Sequence, residues 1–194
     1  KFLNKNHKKR IKVYASGGSV IFTPDQIKKD LEDVLSSNYT AYKMRIGLQS
    51  FKKDMMRVEK ARELLKNKQL MLDAIMGTLN NKWDLKKSIY FSKELKNFSP
   101  TWLEEPLDPF DFTSYSKLSR KKIIPIAFGE SFTSLSEFDV ANNLNCSQYI
   151  QPDVTHCGLI DAKKTVKICE KNNIKTAMHS WGSPISTLAN LHFS

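Results

Sequence analysis

Short apolar runs that end in a charged or titratable residue recur along the chain. Ala41-Tyr-Lys-Met-Arg45 closes on two cations, Lys43 and Arg45. Gln69-Leu-Met-Leu-Asp73, Trp102-Leu-Glu-Glu105, Ile123-Ile-Pro-Ile-Ala-Phe-Gly-Glu130 and Gln148-Tyr-Ile-Gln-Pro-Asp153 end in carboxylates, and Lys175-Thr-Ala-Met-His179 ends in an imidazole. Each run has strand length, and stretches with the 3.6-residue spacing of helices lie between them. The pattern predicts strands over 11–16, 41–46, 70–73, 102–105, 124–128, 149–151 and 175–178. It predicts helices over 24–36, 50–67, 83–96, 115–119, 135–142, 161–172 and 184–191. Thr23-Pro24 reads as an N-cap with proline at the first helical position, and Ser134 with Glu137 as a capping box. Met55, Met56, Val58, Ala61, Leu64 and Leu65 form the expected apolar stripe of the second helix.

Strands separated by helices at roughly 25–31-residue intervals are βα units, and their alternation implies a parallel sheet. Titratable residues at the ends of many strands favour an α/β (β/α)8-type TIM barrel over an open sheet, whose site gathers at one switch point. Seven strands are expected and an eighth is not, so the sequence reads as part of a longer protein. Residues 1–10 read as a linker and 11–194 as a partial barrel domain.

The composition, 40% hydrophobic and 26% charged, fits a soluble globular chain. No apolar run approaches the roughly 20 residues of a membrane span, and the basic, polar start is not a secretory signal. Cys146, Cys157 and Cys169 lack CxxC spacing and read as free thiols of a reducing cytoplasm. The net charge of +11 comes mostly from lysines spread along the helical stretches. That distribution, without a nucleic-acid motif, reads as a solvated surface rather than a nucleic-acid face, and it would favour an anionic small molecule.

Asp73, Glu104 and Glu130 end three consecutive strands. Adjacent parallel strands lie about 4.8 Å apart, so three such carboxylates can converge on one hard cation, with Mg2+ the best match for all-oxygen ligation. A lone acid there would be an ordinary helix cap; three in succession, followed by Asp153 and His179, point to a site. Neighbours of different sides in a strand, Glu104 and Glu105 are expected to face opposite ways. Asp153 would fix the tautomer of His179, making it a general acid/base. Lys43 and Arg45, two apart, share a face. Arginine, always protonated, suits holding a carboxylate or enolate oxygen; Lys43 would stabilise charge or, with its pKa lowered by nearby cations, move a proton. His156 reads as a loop residue.

These segments resemble the enolase superfamily, specifically its mandelate racemase and muconate lactonizing branch. Tyr42-Lys-Met-Arg-Ile-Gly47, Met71-Leu-Asp-Ala74, Trp102-Leu-Glu-Glu-Pro106, Gly129-Glu-Ser131, Gln151-Pro-Asp-Val-Thr-His-Cys-Gly158 and Met178-His-Ser-Trp-Gly182 carry the resemblance, in order along nearly the whole chain. It implies a Mg2+ site of Asp73, Glu104 and Glu130, an Asp153–His179 dyad, and abstraction of a proton α to a carboxylate to give an enediolate held by the metal. It also implies a homo-oligomer and an N-terminal capping domain that selects the substrate. Two positions depart from the family. Arg45 stands where a second lysine, the usual base, is common, which favours a one-base reaction at His179. Ile75 stands where many members carry Asn. The resemblance therefore implies dehydration of an acid sugar to a 2-keto acid, with racemisation, epimerisation or cycloisomerisation as the alternative, and a non-catalytic truncated barrel as a third reading.

Overall fold

The computed structural model describes residues 10–194, so the expected linker lies, Arg10 apart, outside the described residues. The chain forms two compact units. One consists of Val13–Asp108 with Lys121–Pro125; the other contains Pro109–Arg120 and Ile126–Ser194.

In the first unit four parallel strands follow chain order: β1 (Ala15–Gly17), β2 (Ala41–Arg45), β3 (Gln69–Asp73) and β4 (Leu103–Glu104). Three helices, α1 (Pro24–Ser36), α2 (Phe51–Leu65) and α3 (Leu85–Leu95), alternate with them, and a 3-10 turn at Lys96–Phe98 follows α3. Successive residues, Lys43 with Met44 and Met71 with Leu72, are all buried, the mark of strands covered on both faces. The predicted elements are present, but several strands are shorter. Of the strand predicted over 11–16 only Ala15 and Ser16 pair with β2, together with the following Gly17, and β4 stops at Glu104, where Glu105 turns to φ 39°. Thr23 caps α1 as expected, and Gln26 completes a capping box.

The stripe of α2 departs from the expectation. Met56 is half exposed, whereas Asp54 and Arg57 are buried with Val58, Ala61 and Leu65. The reason is a polar staple. Arg57 pairs with Asp54 at 2.6 Å and donates to the carbonyls of Gly18, Ser19 and Arg45 at 3.3, 2.6 and 3.0 Å. Asp54 accepts from the Gly47 amide at 2.8 Å. Burial raises the Asp54 pKa, opposed by the Gly47 and Arg57 bonds. One buried ion pair thus ties the loops after β1 and β2 to α2, fixing the end of the strand that carries Lys43 and Arg45. Gly47 has φ 106°, and a Cβ there would lie 2.7 Å from the Ala74 carbonyl oxygen, so the turn requires glycine.

The second unit holds β5 (Ile126–Phe128), β6 (Tyr149–Ile150) and β7 (Lys175–Thr176), parallel and in chain order. Its helices are α4 (Phe112–Ser119), α5 (Leu135–Asn143), α6 (Val154–Lys171) and α7 (Pro184–Leu191). Aromatic rings fill its core: Tyr115 stacks on Phe128 at 4.1 Å, and Phe132 meets Phe128 and Phe138 edge-on at 5.2 and 5.1 Å. Ser134 and Glu137 form the expected capping box. Helix α6 begins seven residues before the predicted 161, because Asp153 caps a turn at Val154–Cys157 that the non-helical Gly158 (φ 76°) separates from the rest. His156 therefore sits on a helical turn, not in a loop.

All three cysteines are free and buried, and burial pushes their thiols up to about 12, 11 and 12 for Cys146, Cys157 and Cys169. No helix among the described residues is long and apolar enough to cross a membrane.

Candidate active site

In the first unit, the strand register sets Arg45 beside Asp73 and Asp73 beside Glu104. Lys43, on the same face of β2 as Arg45, reaches both acids. Its Nζ bonds Glu104 Oε1 and lies 3.4 Å from Asp73 Oδ2. All three side chains are buried. Burial works to lower the Lys43 pKa, but Glu104 and Asp73 outweigh it and the pKa is raised. The neighbours of Lys43 are carboxylates, not the cations expected from the sequence, and they hold it as an ammonium. Arg45 is half-buried at the strand end.

The remaining oxygens of the pair are also engaged. Asp73 Oδ1 accepts from the Ile75 amide at 2.9 Å, and Glu104 Oε2 from the Trp102 indole at 2.8 Å. Tyr14 packs edge-on to Trp102, with ring centroids 5.6 Å apart. Glu105 is buried with its backbone in the left-handed region.

Two buried carboxylates that present oxygens to one positive charge fit a hard cation. Mg2+ is commonly held by one or two carboxylates and keeps several waters. Among the described residues, no group of three or more His, Cys, Asp or Glu side chains is gathered as a metal cluster.

In the second unit, the acid after β6 and the histidine after β7 come together. His179 Nδ1 lies 2.9 Å from Asp153 Oδ2. The other oxygen of Asp153 accepts from the Thr155 amide (2.8 Å), the Thr155 hydroxyl (2.6 Å) and Asn190 Nδ2 (2.9 Å). Asn190, buried on α7, also accepts from the Val154 amide at 3.0 Å. Burial of Asp153 works to raise its pKa; the bonds from Thr155, Asn190 and His179 reverse this and hold it below its ordinary value. An acceptor so fixed assigns the His179 proton to Nδ1 and leaves the lone pair on Nε2. That Nε2 stands 3.4 Å from Glu130 Oε2.

His156 contributes more than its loop assignment suggested. Its Nδ1 bonds the Glu130 carbonyl at 2.7 Å, and its ring lies nearly parallel to that of His179, centroids 6.3 Å apart. Gln151 is fully buried, and neither amide atom has a hydrogen-bond partner. Trp102, Thr155, Asn190 and Gln151 were not singled out from sequence. Trp102 had a usable signal, lying two residues before Glu104 and hence on its face of the strand. Asn190 had none, since its partner Asp153 is 37 residues away.

The family described as Enolase C-terminal domain-like matches residues 26–194. The chain belongs to this family. L-talarate/galactarate dehydratase of Salmonella typhimurium is 30% identical over 176 residues, which is 89% of this chain and 43% of that protein. 3,6-Anhydro-alpha-L-galactonate cycloisomerase of Streptomyces coelicolor is 29% identical, over 87% of this chain and 46% of that protein. A Streptomyces coelicolor racemase solved with bound magnesium superposes with a TM-score of 0.85 at 29% identity, over 94% of this chain and 50% of that one. The enolase-type chain thus spans about half the length of these relatives. Its alternating parallel βα units are those of the (β/α)8-barrel fold class, seven of them among the described residues.

Proposed function

We propose that the protein to which this chain belongs is a Mg2+-dependent enzyme that abstracts the proton α to a carboxylate and dehydrates an acid sugar to a 2-keto acid through an enediolate. The observation that carries this is the His179–Asp153 pair at 2.9 Å, with Asp153 held by three further hydrogen bonds. A fixed imidazole whose Nδ1 is hydrogen-bonded and whose Nε2 carries the lone pair is suited to take a proton from carbon. The same nitrogen can return it to the leaving hydroxyl, so one base suffices for dehydration. Asp73, Glu104 and Glu130 are the proposed Mg2+ ligands. Bound there, the ion would lower the cost of negative charge developing on the substrate carboxylate. Lys43, held as an ammonium by Glu104 and Asp73, and Arg45 supply positive charge for the substrate carboxylate and the enediolate oxygens.

Isomerisation is the second reading, favoured by the 29% identity to a cycloisomerase. The deciding experiment incubates the full-length protein with Mg2+ and a library of acid sugars, galactarate among them, and detects 2-keto product. A 2-keto product supports dehydration. Deuterium uptake at the α-carbon from D2O without loss of water supports isomerisation instead. Neither change, with every acid sugar inert, would overturn both.

A further inference from the structure

Glu104 is 0% exposed, and its two oxygens are treated differently. Oε1 faces the Lys43 ammonium, while Oε2 accepts the indole N–H of Trp102 at 2.8 Å. Trp102 and Glu104 are two residues apart on extended backbone, so their side chains leave the same face. The indole is only 5% exposed. Tyr14 packs against it at 79° and lies 5.8 Å beneath the Lys43 Nζ, so one aromatic pair backs both members of the Lys43–Glu104 contact.

Indole N–H is a donor and never an acceptor. Its bond to Oε2 therefore cannot invert, and it restricts rotation of the carboxylate about its terminal bond. We propose that Trp102 is the positioning residue of the cation site: it engages Oε2 so that Glu104 offers the single oxygen Oε1 to the ion. The inference rests on Glu104 being a Mg2+ ligand. Without the donor, Oε2 would be a buried acceptor with its bond unmade, and the carboxylate would be free to turn away from the ion.

Mg2+ binding to the full-length protein, measured by titration calorimetry, tests this with Trp102→Phe, which keeps most of the ring and removes the donor. The expected result is affinity weaker by about 10–100-fold, the usual loss when a group orienting a metal ligand is removed. Circular dichroism should be little changed, and the metal-free melting temperature should fall only as far as one unmade buried hydrogen bond requires. Equal affinity in wild type and variant would overturn the role of Trp102 while leaving the Mg2+ site standing. No Mg2+ binding by wild type would overturn the ligand assignment itself, and the proposal with it.

Should Trp102→Phe fail to fold, the wild type still decides. In 15N-tryptophan-labelled protein, with peaks assigned through Trp83→Phe and Trp181→Phe, the Trp102 indole proton should exchange far more slowly than that of Trp181, which is 69% exposed. Its peak should also move on saturation with Mg2+. Fast exchange, or a peak that ignores the ion, would overturn the proposal.

Discussion

Asp153 shows how one side chain can serve both structure and chemistry. A carboxylate before a helix is ordinarily a cap, and Asp153 does cap α6 through the Thr155 amide. The same group also holds His179, using its second oxygen. Its folded pKa is depressed, whereas in the unfolded chain it titrates near the ordinary value of about 3.9. The sign follows: the stabilisation is complete above that unfolded value and is lost as pH falls through the lower folded one. Asp153→Asn should therefore flatten the acid side of the stability curve, measured by urea unfolding between about pH 2 and 5. The same substitution should lower turnover by about 10–100-fold, because the amide can fix His179 in the wrong tautomer. An unchanged acid limb together with unchanged turnover would contradict both roles. Much at this scale was legible in advance. Asp73, Glu104, Glu130, Asp153 and His179 were each marked by ending an apolar run. The protonated state of Lys43 was not, because it depends on which charges the strand register brings beside it.

At the scale of elements, alternation and capping chemistry located every helix and strand, since both are local. Thr23, Ser134 and Pro184 marked helix starts that the structure retains. Strand ends were less legible, because a strand extends only as far as its neighbour pairs with it, as at β1 and β7. The stripe of α2 misled for a different reason. Helical spacing cannot distinguish a buried charged residue from a solvated one, and Asp54 with Arg57 is a charge pair turned inward. Removing one partner strands the other in a place that water does not reach. Arg57→Ala should destabilise the protein by about 3–5 kcal/mol in urea unfolding, and Asp54→Asn combined with Arg57→Met by less. Losses of under about 1 kcal/mol for Arg57→Ala would mean that the pair is not the staple of the β1 and β2 loops.

Taken as a molecule, the chain carries two clusters, each complete enough to read by itself. Lys43, Asp73, Glu104 and Trp102 form a group of one ammonium, two carboxylates and an indole at the strand ends of one unit. Glu130, Asp153, His179 and Asn190 form a hydrogen-bonded group in the other. The first suits binding an ion and an anionic substrate; the second suits moving a proton. The sequence announced both through residues that end strands and through motifs of the enolase type. It could not announce Asn190, which acquires its role only from the fold that brings it to Asp153, 37 residues away.

Proton abstraction by His179 is the central claim, and one measurement addresses it most directly. Full-length wild-type protein and its His179→Asn variant would be incubated with Mg2+ and galactarate, or another acid sugar that the wild type turns over, in D2O. Nuclear magnetic resonance would follow loss of the α-proton signal. Wild type should consume that signal, and His179→Asn should slow its loss by about 10²–10⁴-fold while keeping its fold and its Mg2+ affinity. Loss of the α-proton at the wild-type rate in His179→Asn would show that another group is the base.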